Sequence, residues 1–169
     1  MNFRVTRRTI LLGALATILS GCANKFRTYR GPEVTRVRVY KGQRMIVLDG
    51  PEGVLRTIPM GLGFAPEGHK QFEGDGRTPE GSYVIDRRNP DSLFHLSIGI
   101  SYPNEADIAY AKAQGRSPGG DIFIHGGPRP GIDPTNKRDW TAGCIAVSDR
   151  EIEDIYAMVK NGTPIDIYS

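Results

Sequence analysis

Glycine and proline break this chain into short pieces. Its 169 residues hold 21 Gly and 12 Pro. Gly weakens the interior of a helix or strand, and Pro removes a backbone donor, so long helices have little room. The pieces between the breaks read mainly as strands. Val34 to Tyr40 (VTRVRVY) alternates apolar and charged residues, the pattern of a half-buried strand. Lys41-Gly42-Gln43 is a turn, and Arg44 to Leu48 a second strand, predicting a hairpin. Val54 to Met60, Ser82 to Asp86, Leu93 to Ile100, Asp121 to Ile124 and Ile165 to Tyr168 read as further strands, with a long Gly-rich stretch from Gly61 to Gly81. Two segments have helical spacing. Asn104 to Gln114 starts at a capping Asn. Ser148 to Lys160 starts at a capping Ser with Glu151 three residues on, and Gly162 lies just past its end. Strands and helices do not alternate as βαβ units, which argues against a Rossmann-like nucleotide fold. The expected class is mainly β with two helices, and 38% hydrophobic content suffices for a core.

The first 21 residues stand apart. Arg4, Arg7 and Arg8 precede an uncharged run, Ile10 to Leu19, followed by Leu19-Ser20-Gly21-Cys22. A basic start, a short apolar run and small residues are the order of a secretory signal. The run is too short to span a bilayer, which takes about 20 residues. Thr6 to Leu11 resembles a twin-arginine export signal. Leu-Ser-Gly-Cys resembles a bacterial lipobox, which implies cleavage before Cys22 and acylation of that cysteine, a membrane anchor without a spanning helix. Ala23, where Asp would suggest inner-membrane retention, favours an outer-membrane destination facing the periplasm. The expected division is a lipoprotein-type signal over 1–21, a lipid-anchored tether over 22–33 ending at the Gly31-Pro32 break, and a domain over 34–169. The net charge of +3 invites a nucleic-acid reading. However, the three leader arginines account for the whole excess, because the leader holds no acidic residue. The remainder is neutral, and the nucleic-acid reading goes with the leader.

Three features of the domain converge on one chemistry. Asp121 to Gly127 (DIFIHGG) delivers His125 to a strand end, with two glycines that allow close approach. Trp140 to Ile145 (WTAGCI) puts Gly143 before Cys144, a turn that presents a thiol and frees nearby N–H groups for an oxyanion. The 18 residues between His125 and Cys144 include four Gly and three Pro, a long loop of the kind that is usually functional or disordered, here joining a candidate base to a candidate nucleophile. Lipidation of Cys22 would leave Cys144 without a disulfide partner, either as a buried inert thiol or as one kept for reactivity. His95, inside a strand pattern, either lines the same cleft or is a hydrogen-bonded inner residue. His69 beside Lys70 reads as solvent-facing. Gly74 to Gly81 lacks the GK[ST] ending of a phosphate loop. No HExxH or CxxC occurs, and no metal or other cofactor is expected.

These residues resemble a known family. His125-Gly126 followed by Thr141-Ala142-Gly143-Cys144-Ile145 is similar to the signature of the YkuD-type L,D-transpeptidase catalytic domain. Thr78-Pro79-Glu80-Gly81 resembles that family's Thr-Pro-x-Gly segment. Arg88-Asn89-Pro90, Phe94 to Ser97, Ile100 to Asn104 and Pro118-Gly119-Gly120 resemble its YafK-like branch. The resemblance implies a β-sandwich with one or two helices packed on it, and acyl transfer on peptidoglycan stem peptides. Cys144 would be the nucleophile and His125 the general base and acid. The Gly126 carbonyl would orient the imidazole, and N–H groups around Gly143 and Cys144 would form the oxyanion hole. Apart from the resemblance, Gly127 and Thr141 join His95 as candidates for the substrate cleft, His95 with its inner-residue alternative still open. A thioester would be resolved by an amine, giving crosslinks, or by water, trimming stem peptides or releasing an envelope lipoprotein attached to peptidoglycan. A rival from another class is a non-catalytic peptidoglycan-binding envelope lipoprotein, against which the intact His-Gly and Gly-Cys pair argues. One departure stands out. The family commonly has Arg two residues after the cysteine, and here Ala146 stands there, with Arg77, Arg129 and Arg138 as candidate substitutes.

Overall fold

The computed structural model describes residues 24–129 and 138–169. The expected signal segment and Cys22 lie outside the described residues. The elements run β1 (Arg36–Tyr40), β2 (Met45–Gly50), β3 (Gly53–Pro59), β4 (Gly81–Asn89), β5 (Ser97–Ile100), α1 (Glu105–Ala113), β6 (Phe123–His125), β7 (Ile145–Ala146), α2 (Asp149–Met158) and β8 (Pro164–Tyr168). The alternation in the first strand works as expected, with Val37 and Val39 fully buried and Arg36 exposed. The strands join in the order β3-β2-β1-β8-β4-β5-β6-β7.

β4 is where the ladder turns. Its first half pairs with β8 and its second with β5, with a register irregularity between Ile85 and Arg87. Such a bulge bends a strand and lets it serve two layers. Beyond β3, Gly61 and Gly63 form bridges with Ala146 and Thr141, which brings the two ends of the ladder back together. One core forms inside, including Val37, Leu48, Leu62, Ile85, Ile98, Ile124, Ile145 and Ile167. The mainly β class with two helices is therefore observed.

α2 packs Ile152, Ile155 and Met158 inward from one face, and Ser148 and Glu151 close the expected capping box. α1 starts at Asn104 with a capping box to Asp107, and buries only Asp107 and Ala111. The Gly-rich stretch between β3 and β4 is an organised loop. Lys41 reaches into it, donating to Gly68 O, Thr78 O and Glu80 Oε1 at 2.6, 3.0 and 2.7 Å. Asp75 accepts from the Gln71, Phe72 and Arg77 N–H groups and from Lys70. His69, read as solvent-facing, belongs to this network instead. Its Nδ1 accepts from Glu80 N–H, so Nε2 carries the proton donated to buried Asp107 at 3.0 Å.

Candidate active site

Strand register assembles the site. β6 and β7 are parallel, with Ile124 opposite Ile145 and His125 opposite Ala146. Period-2 alternation sends Ile124 and Ile145 into the core, both fully buried. Phe123, His125 and Cys144 are left on the other face. There they line a cleft of about 310 Å³ together with Phe94, Ser97 and Asp121. The long link between the two motifs thus closes in adjacent strands. Its residues 130–137 lie outside the described ones.

His125 is 4% exposed. Its Nδ1–H donates to the Gly126 carbonyl at 2.8 Å, which leaves the Nε2 lone pair free to take a proton. Phe94 stacks on the ring at 4.5 Å, and the Trp140 ring meets it edge-on at 5.7 Å. Burial pushes the imidazole below its ordinary range. The Gly126 bond opposes this, and the positive charge of Arg129 reinforces it. Burial likewise pushes the Cys144 thiol up, with Asp121 adding to the shift and a Phe123 backbone hydrogen bond opposing it. The thiol contacts the Asp121 carbonyl at 3.4 Å, and Asp121 holds a left-handed φ of 55°. Both shifts favour the uncharged forms, a thiol and a neutral imidazole. A thiol beside a neutral imidazole is the arrangement from which general-base catalysis can start.

The turn before Cys144 is tied from two sides. The Thr141 hydroxyl donates to Cys144 O at 2.6 Å and accepts from Gly143 N–H at 3.2 Å. Thr78, fully buried, donates to Gly143 O at 2.9 Å. Gly143 has φ of 136°, and a Cβ there would lie 2.7 Å from Arg77 O, so only Gly fits. The Gly143 N–H is therefore engaged in the resting turn, whereas the Cys144 N–H has no acceptor among the described residues. Thr141 is a brace of this turn and is absent from the cleft lining. Gly127 donates its N–H to Asp149 Oδ1 at 3.1 Å and also lies off the cleft.

His95 does not line the cleft. Its Nε2 pairs with Glu153 of α2 at 2.8 Å, and its φ of 74° breaks the extended run expected from Leu93, so β5 starts only at Ser97. The neighbouring Phe94 takes the place beside His125. Phe94, Trp140 and Thr78 all stood in motifs visible in the sequence. Their roles were not visible there, because stacking and cross-loop bonding depend on tertiary placement.

Ala146 is buried between β6 and the bridge to Gly61. Of the three candidate arginines, Arg129 acts on His125. Its guanidinium is held by Asp149 at 2.8 and 3.0 Å, and its Nε donates to Leu93 O. Arg138 is spent on the Met60 and Arg44 carbonyls. Among the described residues, no cluster of three or more His, Cys, Asp or Glu side chains is arranged to hold a metal ion.

Residues 34–167 match the family described as "YkuD: L,D-transpeptidase catalytic domain". The chain belongs to this family. Over 95 residues it is 34% identical to "Putative L,D-transpeptidase YafK" of Escherichia coli K12, a match covering 54% of this chain and 32% of that protein. The chain thus spans about a third of the length of that curated relative. Among solved structures it resembles the helical cell shape determining protein Pgp2 of Campylobacter jejuni, with TM-score 0.64 and 25% identity, covering 88% of this chain and 52% of that one. It also resembles Bd1075 of Bdellovibrio bacteriovorus, with TM-score 0.58 and 26% identity, covering 80% and 48%. The likeness to L,D-transpeptidase 1 of Mycobacterium tuberculosis, at 13% identity, TM-score 0.51, and coverage of 81% and 62%, shows the fold alone.

Proposed function

We propose that this protein is a cysteine-dependent peptidoglycan L,D-transpeptidase acting on stem peptides through a thioester. The observation that carries the reading is the shared cleft of Cys144 and His125, with Nδ1 of the imidazole committed to the Gly126 carbonyl. Cys144 Sγ attacks the carbonyl of the amide joining an L-centre to a D-residue, and its proton passes to His125 Nε2. The Cys144 N–H meets the developing oxyanion, and the C–N bond breaks as His125 returns the proton to the leaving amine. An acceptor amine then displaces the thiolate from the thioester. With water as acceptor, the same site is an L,D-amide hydrolase that trims stem peptides or frees an envelope lipoprotein attached to peptidoglycan. Family membership favours the transpeptidase.

The deciding experiment incubates the protein with purified tetrapeptide muropeptides. Crosslinked dimers are expected from the wild type, and Cys144→Ala is expected to lower turnover by at least about a thousandfold while preserving the circular-dichroism spectrum. Monomers trimmed without dimers would assign the hydrolase. Turnover by Cys144→Ala would end the cysteine mechanism.

We also propose that the protein is held at a bacterial membrane facing the periplasm through acylated Cys22. The support is the basic, apolar and Leu-Ser-Gly-Cys order of the leader. Fractionation of cells expressing Cys22→Ser should move the protein from the membrane pellet to the soluble fraction. A variant still in the pellet would overturn the anchor.

A further inference from the structure

The segment between the proposed anchor and the domain does not hang free. Lys25 Nζ donates to Pro90 O at 2.6 Å and His95 O at 3.3 Å. Arg27 reaches α2, with Nε on Glu153 Oε2 at 2.8 Å and a terminal nitrogen on Asp154 at 2.7 Å. The other oxygen of the Glu153 carboxylate holds His95 Nε2 at 2.8 Å. Segment, helix and loop therefore meet at one acidic side chain. Burial raises the Glu153 carboxyl, but the bonds from His95 and Arg27 outweigh it and hold the group below its ordinary range, so Glu153 stays charged in this junction.

The loop so gripped forms a wall of the cleft. Phe94, directly before His95, stacks on the His125 ring, and its carbonyl accepts the Gly126 N–H at 2.9 Å. His95 holds a positive φ, a conformation that persists only where the surroundings enforce it. Exposed ion pairs add little to stability, so the value of these contacts lies in placement. A small displacement of a catalytic group lowers rate steeply.

We propose that Lys25 and Arg27 are positioning residues for the His125 imidazole, acting through the Pro90–His95 loop and its Phe94 ring. The proposal rests on the Cys144–His125 reading above. It makes the residues that follow the acylated cysteine part of the working enzyme, so membrane attachment and site geometry share one strap.

The test uses the full-length chain in detergent and imipenem, which is bound in a solved structure of a fold relative. Acylation of Cys144 is followed by intact mass across imipenem concentrations. The Lys25→Ala/Arg27→Ala double variant should lose about tenfold in maximal acylation rate. Its half-saturating concentration and melting temperature should stay near those of the wild type. Lys25→Arg/Arg27→Lys, which keeps both charges but loses the Arg27 fork, should recover part of the rate. In a Phe94→Leu background the strap substitutions should cost nothing more, because their route is already cut. Should the double variant fold poorly, His95→Gly, which accepts the same φ and removes the link to Glu153, should show the same loss.

A maximal rate within twofold of wild type, or an equal loss with and without Phe94, overturns the strap. A wild type that forms no adduct overturns the cysteine reading and the strap together. An adduct in wild type that is absent in Cys144→Ala, combined with unaffected strap variants, overturns the strap alone.

Discussion

Thr78 carries no chemistry of its own, yet its hydroxyl joins the loop before β4 to the carbonyl of Gly143, one residue from the candidate nucleophile. The side chain is fully buried, so water cannot replace the bond. Thr78→Val keeps the shape and removes the donor. It should cost ~1–3 kcal/mol in urea unfolding, the usual penalty for orphaning a buried acceptor. It should also slow turnover about tenfold or more through a loosened turn. Thr78→Ser should retain most of both. The sequence displayed Thr78 in a recognisable Thr-Pro-x-Gly segment, but 65 positions separate it from Gly143. His125, Gly126, Gly143 and Cys144 were legible as a set because a strand end, a double glycine and a Gly-Cys turn leave local marks. His95 was ambiguous because nothing local announces a positive φ at a non-glycine residue.

α2 shows which parts of an element are local. Its start was readable, since Ser148 and Glu151 satisfy each other within four residues. Gly162 was expected to stop the helix, but the helix closes at Met158, with Val159 extended and fully buried. No basic residue occupies the last turn. The guanidinium of Arg88 arrives from β4, donates to the Tyr156 and Val159 carbonyls, and lies 3.7 Å over the Tyr156 ring. A helix terminus capped by a distant strand cannot be found by scanning neighbours. Arg88→Ala should lower unfolding free energy by ~1–3 kcal/mol and speed amide exchange around Tyr156 to Lys160. Arg88→Lys should recover only part, because an ammonium lacks the planar fork that serves two carbonyls. β7 was missed for a related reason. Two residues carry no periodicity, and Ile145–Ala146 became a strand only through pairing with β6 and Gly61.

Across the whole molecule, buried and paired ionisable groups set the response to acid. Burial lowers the His125 affinity for a proton, so the unfolded chain binds one that the native state refuses. Stability from this source is full above the unfolded value of about 6.5 and declines as pH falls below it. Asp75, Asp149, Glu153 and Asp166 are all held below their ordinary values by hydrogen bonds and ion pairs that outweigh burial where burial opposes them. Their contribution is present above about pH 4 and lost as pH drops through their folded values. Urea midpoints against pH should therefore show a shallow decline starting near 6.5 and a steeper one near 4. His125→Gln should remove the first and leave the second. What the sequence alone determined is the set of short-range features: strands, caps, the Gly-Cys turn, and the pairing of a candidate base with a candidate nucleophile. Each is written in the sequence within some twenty residues. What only the tertiary structure decided is which distant groups complete them: Phe94 on His125, Thr78 under Gly143, Arg88 and Arg27 on α2, and Lys25 on the cleft loop. Those contacts depend on how the ladder bends at β4 and closes on itself, and that path is set by the packing of all the strands around one core.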